Sequence, residues 1–524
     1  MMVRSLFAAA FAGMLVSPAS AQEDPALSAV RSCYSAPFQL TAEQRTLLCD
    51  AVAVQGADPG LALERLDRAL LKIEGPSPAH AMLLGMRASA LLTVAGEDEG
   101  LRAFTAALRD YPDMPPILAG AVSELTFTAH ADKAADYCIR LAQAAPQIAR
   151  SLPDYFYSEL ARRLAASGEH ERNARLVDAL AAIDYVAVSP ASASLFARNL
   201  VDNAVRRGDL PAAREALRTM RDPGAMVSML ADEGYRELWP DIPFAEEGAR
   251  EEVLREWITA LGAAARDDRS IGGGVIRALV AHHGPRPVIE GYEPVLLSVL
   301  AQEHDTSRLF DFAFWVSPLA SAHLIEGDVA GAEKLYRLAV DAMSKLDSAA
   351  RFNAEANLAL MLINVGRAAE ALEQIDRTIA ALQAMDQANR ALLPMHAVRV
   401  RSLFALGRGG EAWSSLERLR QGADADIRTY VTTMLRIGRY DEARDAIVVH
   451  LNKPERYGDA IAMLQPSFAA YRTPDEVELE ELIETLATDP AVLAALEGKG
   501  RVFAWEPVRF ERFRELLPTR RGGG

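Results

Sequence analysis

A glycine followed five residues later by an alanine recurs along this chain, and this spacing constrains the fold more than any other feature. The pattern is present as Gly208/Ala213, Gly327/Ala332, Gly366/Ala371, Gly407/Ala412 and Gly438/Ala443. Glycine allows the chain to reverse tightly between two helices, and alanine in the second helix allows the pair to approach closely. The pattern therefore predicts stacked helical hairpins, an all-α repeat array.

The first residues are typical of a secretory signal peptide. Arg4 precedes a short apolar run, Leu6 to Val16, and the small residues Ala19-Ser20-Ala21 come before a polar stretch. The apolar run is shorter than the roughly 18 residues that span a bilayer, which disfavours a permanent anchor. We expect cleavage after Ala21 and export, with a periplasmic location.

The charge of the chain disfavours a nucleic acid partner, and its hydropathy disfavours membrane insertion. The formal net charge is −16, and removal of Arg4 with the signal makes it −17. Binding to phosphate backbones rests on clustered Lys and Arg, so we expect no nucleic acid partner. No later stretch is apolar enough to cross a membrane, so we expect no stable membrane insertion.

The cysteines fit an oxidising compartment. Cys33 and Cys49 lie close together near the mature N-terminus, whereas Cys138 stands alone in a helical segment. A disulfide between Cys33 and Cys49 would close a loop of about 15 residues and stabilise the fold by roughly 3 kcal/mol. We expect Cys138 to be a small buried side chain.

Several segments resemble the tetratricopeptide repeat (TPR) family, in which each unit pairs two helices. One unit reads Leu358, Ala359, Leu362, Gly366, Ala371, and another reads Leu319, Ala320, Gly327, Ala332, Tyr336, Ala339. A third has Leu160, Ala161, Leu164 and Gly168, with Asn173 at the alanine position, and His130 stands where another turn glycine is expected. The resemblance implies an alpha-solenoid whose first helices line a concave face for a partner peptide. A generic helical solenoid is the alternative.

The glycine spacings suggest two arrays, because Gly208 and Gly327 are 119 residues apart. Between them lie Trp239 to Pro243, Gly272 to Gly274 and Gly284 to Pro287, which interrupt the pattern. The predicted organisation is a signal peptide (1–21), an N-terminal helical cap with the disulfide (22–60), an N-terminal TPR-like array (61–224), an irregular helical connector (225–312), a C-terminal TPR-like array (313–460), and C-terminal capping helices with a basic tail (461–524).

The end of the chain changes in charge. Asp475 to Glu497 contains eight acidic residues and no basic one, whereas basic residues outnumber acidic ones from Lys499 onward. Phe503 and Trp505 lie among those basic residues. We interpret this end as a terminal helix whose aromatic face covers the last repeat, since the exposed end of a solenoid needs a cap.

Motifs of common enzymes are missing from the sequence. His170-Glu171 is not followed by the second histidine of an HExxH motif, and Gly498-Lys499-Gly500 is not a phosphate loop. His282 and His283 point about 100 degrees apart on a helix, which suits no single metal ion. We therefore predict a non-enzymatic protein without a cofactor or a metal site.

Arginines recur on the predicted inner face of the first helices. The stripes are Arg198-Asp202-Arg206, Ala356-Leu360-Asn364, Ala397-Arg401-Ala405 and Arg428-Thr432-Arg436, with Arg162 at the same position of another unit. We predict that Arg162, Arg198, Arg206, Asn364, Arg401, Arg428 and Arg436 bind an acidic or carboxylate-bearing peptide, because guanidinium groups pair with carboxylates. The alternative is that these arginines are solvated or pair with neighbouring Asp and Glu.

Two functions follow from this sequence. The first is a periplasmic scaffold or adaptor that binds a protein or peptide on the concave face. The second is a regulatory or sensory module whose two arrays change their relative angle when a ligand or partner binds. A hydrolase with an unrecognised site would instead require a deep polar pocket with converging ionisable groups.

Overall fold

The computed structural model describes residues 41–43, 45, 46, 49, 50, 58–73, 77–268, 271–301, 306–344, 349–384, 392–503, 505 and 507–509, and all structural statements below concern these residues. The chain divides into two compact units, Met1–Val188 and Ser189–Gly524. The predicted signal peptide, Cys33 and the end of the basic tail lie outside the described residues, so export and the Cys33–Cys49 disulfide stay predictions.

Unit 1 is built from helices that pack mainly against their neighbours along the chain. Its core includes Leu66, Met82 and Leu83 from the first two helices and Leu118 and Leu141 further on, all nearly or fully buried. The helices are α1 (Pro59–Leu70), α2 (Pro78–Val94), α3 (Glu97–Asp110), α4 (Pro115–Leu125), α5 (Ala131–Ala144), α6 (Pro146–Ser151), α7 (Asp154–Ala166) and α8 (His170–Ala181).

Unit 2 begins with α9 (Pro190–Arg206), α10 (Leu210–Leu217) and α11 (Pro223–Ala231), followed by short 3₁₀ turns over Glu233–Asp241, Pro243–Ala245 and Glu247–Ala249. Its middle consists of α12 (Arg250–Asp267), α13 (Gly272–His283), α14 (Pro285–Leu300), α15 (Thr306–Ile325), α16 (Val329–Met343), α17 (Ala349–Asn364) and α18 (Ala368–Ala384). It ends with α19 (Leu392–Ala405), a 3₁₀ turn (Gly409–Ala412), α20 (Trp413–Gly422), α21 (Ile427–Arg436), α22 (Tyr440–Leu451), α23 (Tyr457–Met463), α24 (Pro474–Ala487) and α25 (Pro490–Leu496).

The fold is an all-α solenoid of helix pairs, as predicted. α15 packs on α16, α17 on α18, α19 on α20 and α21 on α22, and the first helices of successive pairs also contact one another. Apart from isolated bridges between Asp232 and Gly500 and between Ala469 and Val508, the described residues form no β-structure. None of the described helices combines the length and the apolar character needed to cross a bilayer.

The glycine and alanine pairs have the structural roles that their spacing predicts. Gly366 has φ +80° between α17 and α18, a left-handed conformation that costs other residues energy, and the other four turn glycines have φ from +71° to +78°. Ala213, Ala332, Ala371, Ala412 and Ala443 are each 0% exposed. The small side chain at these positions is therefore needed for close helix packing.

Many helices begin at a proline that follows an Asp, Ser or Thr. Ser77 accepts a hydrogen bond from the backbone N–H of His80 ahead of α2, and Thr473 and Glu476 form a capping box at the start of α24. Proline suits the first turn because its missing N–H would have no partner there. The prolines thus start helices in this chain rather than only ending them.

The segment predicted as an irregular connector, 225–312, contains regular helices as well as irregular turns. The 3₁₀ turns occupy residues 233–249, and α12, α13 and α14 follow. Gly272 and Gly273, which were expected to interrupt the helical pattern, form the first turn of α13. A Cβ on Gly273 would lie 2.4 Å from the backbone oxygen of Phe314. These glycines therefore allow α13 to lie directly against α15.

The described part of the tail differs from the predicted terminal helix. Residues 499–503, 505 and 507–509 are not helical, and Trp505 is 9% exposed. The Trp505 ring centroid lies 5.5 Å from that of Phe244 and 4.5 Å from that of Phe503. The backbone N–H of Val508 donates to Phe468 O, and the backbone N–H of Glu233 donates to Lys499 O. The tail thus packs on the first part of unit 2, where its aromatic side chains contact apolar residues.

Candidate functional site

The candidate site is a groove inside unit 2, called the inner groove below, with a cavity volume of about 1190 Å³. The lining includes residues of α15, α17, α19 and α21, each the first helix of a pair. Residues of the segment 463–473, α24 and α13 also line the groove. The polar lining residues are Arg277, Ser317, Ser321, Tyr336, Asn353, Asn357, Asn364, Arg401, Arg428, Thr429, Thr432, Thr433, Arg436, Gln465, Ser467, Tyr471, Arg472, Thr473, Asp475, Glu476 and Glu480.

Helical spacing explains why these side chains share the groove. On α17, Asn353, Asn357, Leu360 and Asn364 are separated by four, three and four residues, which places them on one face. The buried Leu358 and Leu362 belong to the opposite, packed side of α17. Helix α17 therefore contributes a largely polar stripe to the groove and an apolar stripe to the core.

The groove has an excess of positive charge. Arg277, Arg401, Arg428, Arg436 and Arg472 line it, against the carboxylates of Asp475, Glu476 and Glu480. The whole chain has a formal net charge of −16. The inner groove thus has more arginines than carboxylates in a protein that is acidic as a whole.

Arg401 and Arg436 converge on one carboxylate. Arg401 Nη2 donates to Asp475 Oδ1 at 3.2 Å and to Asn364 Oδ1 at 2.8 Å, and Arg436 Nη2 donates to Asp475 Oδ2. The side chains of Arg401, Arg436 and Asp475 are only 12%, 14% and 16% exposed. Burial and the neighbouring charge of Arg436 lower the pKa of Arg401 to about 10. Two partly desolvated cations therefore share one anion.

The other two carboxylates of the groove also form ion pairs or hydrogen bonds. Glu480 forms an ion pair with Arg472, and Glu476 Oε2 accepts hydrogen bonds from Thr473 N and Thr473 Oγ1. By contrast, the exposed guanidinium groups of Arg277 and Arg428 form no ion pair with any described residue. These two arginines are the cations of the groove that a ligand meets first.

The structure brings four of the predicted site residues together and leaves three elsewhere. Asn364, Arg401, Arg428 and Arg436 all line the inner groove. Arg162 lies on α7 in unit 1, is half exposed and pairs with Glu159 at 2.6 Å. Peptide binding by any of them stays a prediction.

Arg198 and Arg206 lie on α9, at the start of unit 2, and neither lines the groove. Arg198 donates to Asp202 Oδ1 at 2.9 Å, and its guanidinium carbon is 4.5 Å from the ring centroid of Tyr235. Tyr235 donates its hydroxyl to the same Asp202 oxygen at 2.7 Å. Arg206 is exposed and contacts Asn203. Arg198 is thus part of a local packed network.

Sequence reasoning missed Asp475, Arg277 and Arg472 as groove residues. In the sequence Asp475 stands out only as the start of an acidic helix, and its proximity to Arg401 depends on how the chain returns after α23. The four-residue spacing of Asn353 and Asn357, in line with Asn364, was a signal that could have extended the predicted stripe along α17.

The groove is lined by side chains that can form ion pairs and hydrogen bonds. Its described lining residues include no His, Cys or Lys. Within the described ranges, no group of three or more His, Cys, Asp or Glu side chains is arranged to hold a metal ion. Cys138 is a free, buried thiol in unit 1 whose pKa is raised by burial. Together the groove residues can bind anions and hydrogen-bond to a polypeptide.

The fold and this groove define a helical-repeat protein of the all-α class. No family model matches the chain, and no curated protein matches it either. Among solved structures, the crystal structure of the P58(IPK) TPR domain is similar to it, with 12% sequence identity over 79% of this chain and 100% of that chain. The TM-score of that match is 0.18, so the fold assignment here rests on the helix pairs described above.

Proposed function

We propose that this protein is an exported, periplasmic scaffold or adaptor that binds an acidic segment of a partner protein in its inner groove. The observation that carries the proposal is the excess of arginine over carboxylate in the groove of a chain whose net charge is −16. Solenoids of helix pairs present extended inner surfaces that suit elongated ligands. The proposed role is non-enzymatic.

The groove chemistry supports a polypeptide ligand. Asn353 and Asn357 are not buried, and an asparagine amide offers both a donor and an acceptor, as a peptide backbone does. Leu360 is 37% exposed beside them and offers an apolar contact. An extended segment with acidic side chains would use both kinds of contact as well as Arg428.

Fluorescence anisotropy with a labelled peptide rich in Glu tests this proposal, with a Lys-rich peptide of equal length as the comparison. We expect the acidic peptide to bind preferentially and to lose affinity as salt rises. Arg428→Glu should weaken binding by about tenfold, since it replaces attraction by repulsion. Arg377→Glu is the matched control, because Arg377 is exposed on α18 and does not line the groove. Equal binding of both peptides would contradict the proposal.

Export has its own test. Protein purified from the periplasmic fraction should begin at Gln22, and peptide mapping without reductant should recover Cys33 and Cys49 in one linked fragment. Protein found only in the cytosolic fraction, with Met1 retained, would rule out this part of the proposal.

A regulatory module is the second candidate, and the division of the chain into more than one compact unit is compatible with it. In this role a ligand or partner would change the relative angle of the two predicted arrays, 61–224 and 313–460. Small-angle scattering with and without the acidic peptide distinguishes the two functions, since a scaffold should keep its dimensions.

A further inference from the structure

The Arg401–Arg436 pair has more donors than acceptors. Each guanidinium carries five N–H groups, and a single carboxylate, that of Asp475, pairs with both. Glu478 adds only a more distant Coulombic attraction to Arg401. Because both arginines are largely buried, water compensates their charges poorly. A second carboxylate beside this pair would therefore be stabilised.

A ligand in the inner groove has access to this pair. Arg401, Arg436 and Asp475 all line the cavity, and Arg428 lies two helical turns before Arg436 on α21. A ligand with one carboxylate beside Arg428 can thus place a second carboxylate, about two helical turns away, near the N–H groups that donate to Asp475.

Asp475 lies in the first turn of α24, and this helix is anchored by buried side chains and by its capping box. Ile483 and Leu486 on α24 are 8% and 0% exposed, and the capping box of Thr473 and Glu476 fixes the first turn of this helix. A ligand would therefore compete with the carboxylate of Asp475 without displacing α24.

We propose that Asp475 is a built-in competitor in the inner groove: the Arg401–Arg436 pair binds a carboxylate of the partner, and Asp475 competes for the same N–H groups and sets the affinity. This inference rests on the proposed function of the groove. Because Asp475 already neutralises one of the two charges, a partner carboxylate gains less binding energy than it would without Asp475. The partner segment that fits has clustered acidic residues, of which one meets Arg428 and another meets the pair.

Anisotropy with the Glu-rich peptide on the full mature chain tests this inference. Asp475→Asn keeps the size of the side chain and removes its charge, so the affinity should rise about tenfold. Glu481→Gln is the matched control: it removes the same charge from an exposed position of α24, and its effect should stay below about twofold. Equal effects of the two substitutions would overturn the inference, because they would show a general effect of net charge.

A second pair of variants tests the same inference and does not depend on whether Asp475→Asn folds. Asn364→Asp places a carboxylate 2.8 Å from Arg401 Nη2, so it should fill the under-neutralised site and weaken peptide binding about tenfold. Asn452→Asp is its control, since Asn452 also accepts from a cation, Lys499, but lies away from the groove. Equal affinities for these two variants would overturn the inference.

The proposed function and the inference fail in different ways. If neither the wild-type chain nor any variant prefers the acidic peptide, the proposed function fails. If the wild-type chain prefers it and neither Asp475→Asn nor Asn364→Asp differs from its control, only the role of Asp475 is lost.

Discussion

The guanidinium of Arg501 lies over the indole ring of Trp239, with its carbon 3.7 Å from the ring centroid. Arg501 Nε also donates to Leu230 O at 3.1 Å, and its backbone N–H donates to Ala231 O at 2.8 Å. These contacts join the last described segment of unit 2 to its first helices.

Replacing Arg501 should destabilise unit 2. Arg501→Ala removes the cation–π contact and one hydrogen bond, together about 2–3 kcal/mol, so the melting temperature should fall by several degrees. Arg236→Ala is the control, since Arg236 is 75% exposed and its ion pair with Glu233 is long, at 3.8 Å. Thermal unfolding followed by circular dichroism measures both, and equal melting temperatures would show that the tail contact contributes little.

Two adjacent glycines of α13 should respond in opposite directions to alanine. A Cβ on Gly273 would lie 2.4 Å from the backbone oxygen of Phe314, and backbone cannot move aside easily, so Gly273→Ala should cost about 2–3 kcal/mol. A Cβ on Gly274 would meet only Leu261, at 3.8 Å, so Gly274→Ala should be neutral or stabilise by up to about 1 kcal/mol through helix propensity. Chemical denaturation of the two variants measures the difference. If Gly273→Ala is tolerated as well, α13 and α15 do not pack as closely as described.

His396 should make the stability of unit 2 sensitive to acid. It is 5% exposed, and burial together with Arg418 and Arg399 lowers its pKa from 6.5 to about 4. Between these two pH values the unfolded state binds a proton that the folded state does not, so stability is complete above pH 6.5 and decreases as the pH falls. We expect a loss of about 1–2 kcal/mol between pH 6.5 and pH 5.

His396→Gln removes the titrating group and can still hydrogen-bond to Ser415, which His396 Nδ1 contacts at 3.1 Å. Urea unfolding at the two pH values should show a smaller difference for this variant than for the wild-type chain. A smaller dependence should remain, because burial also lowers the pKa of His282. An unchanged difference would show that folding does not lower the pKa of His396.

The turn glycines should tolerate asparagine better than alanine. Gly366 has φ +80°, and a Cβ added there would meet no atom within 4 Å, so strain rather than a clash limits substitution. Gly366→Ala should cost about 1–2 kcal/mol, and Gly366→Asn less, since asparagine adopts left-handed conformations more readily. Differential scanning calorimetry should rank the glycine, asparagine and alanine forms in that order of decreasing stability. The reverse order for the two variants would contradict the left-handed assignment.

Local features of the sequence were sufficient to predict the helix pairs. The turn glycines and the buried alanines act through residues close in sequence, so their spacing alone predicts the helix pairs. Ala332 and Ala371 are buried, as that spacing requires. The same reasoning failed at Gly272 and Gly273. A glycine that ends a helix and a glycine that allows two helices to touch look alike until the neighbouring helix is known.

The site was only partly predictable, for a related reason. Arg401, Arg428 and Arg436 could be placed on inner faces from their helical register. The contact of Arg401 with Asp475 joins residues 74 positions apart and depends on the path of the chain after α23. The tail reaches further still, since Arg501 meets Leu230 across 271 positions. No periodic pattern encodes such contacts.

The position of the tail affects the order in which unit 2 folds during synthesis. During synthesis the side chains of Trp239 and Phe244 emerge from the ribosome long before Arg501 and Trp505, which later cover them. Contacts so distant in sequence form late and slowly. A nascent or truncated chain that lacks its last residues therefore leaves an aromatic surface open, where chaperones or other unfinished copies can bind.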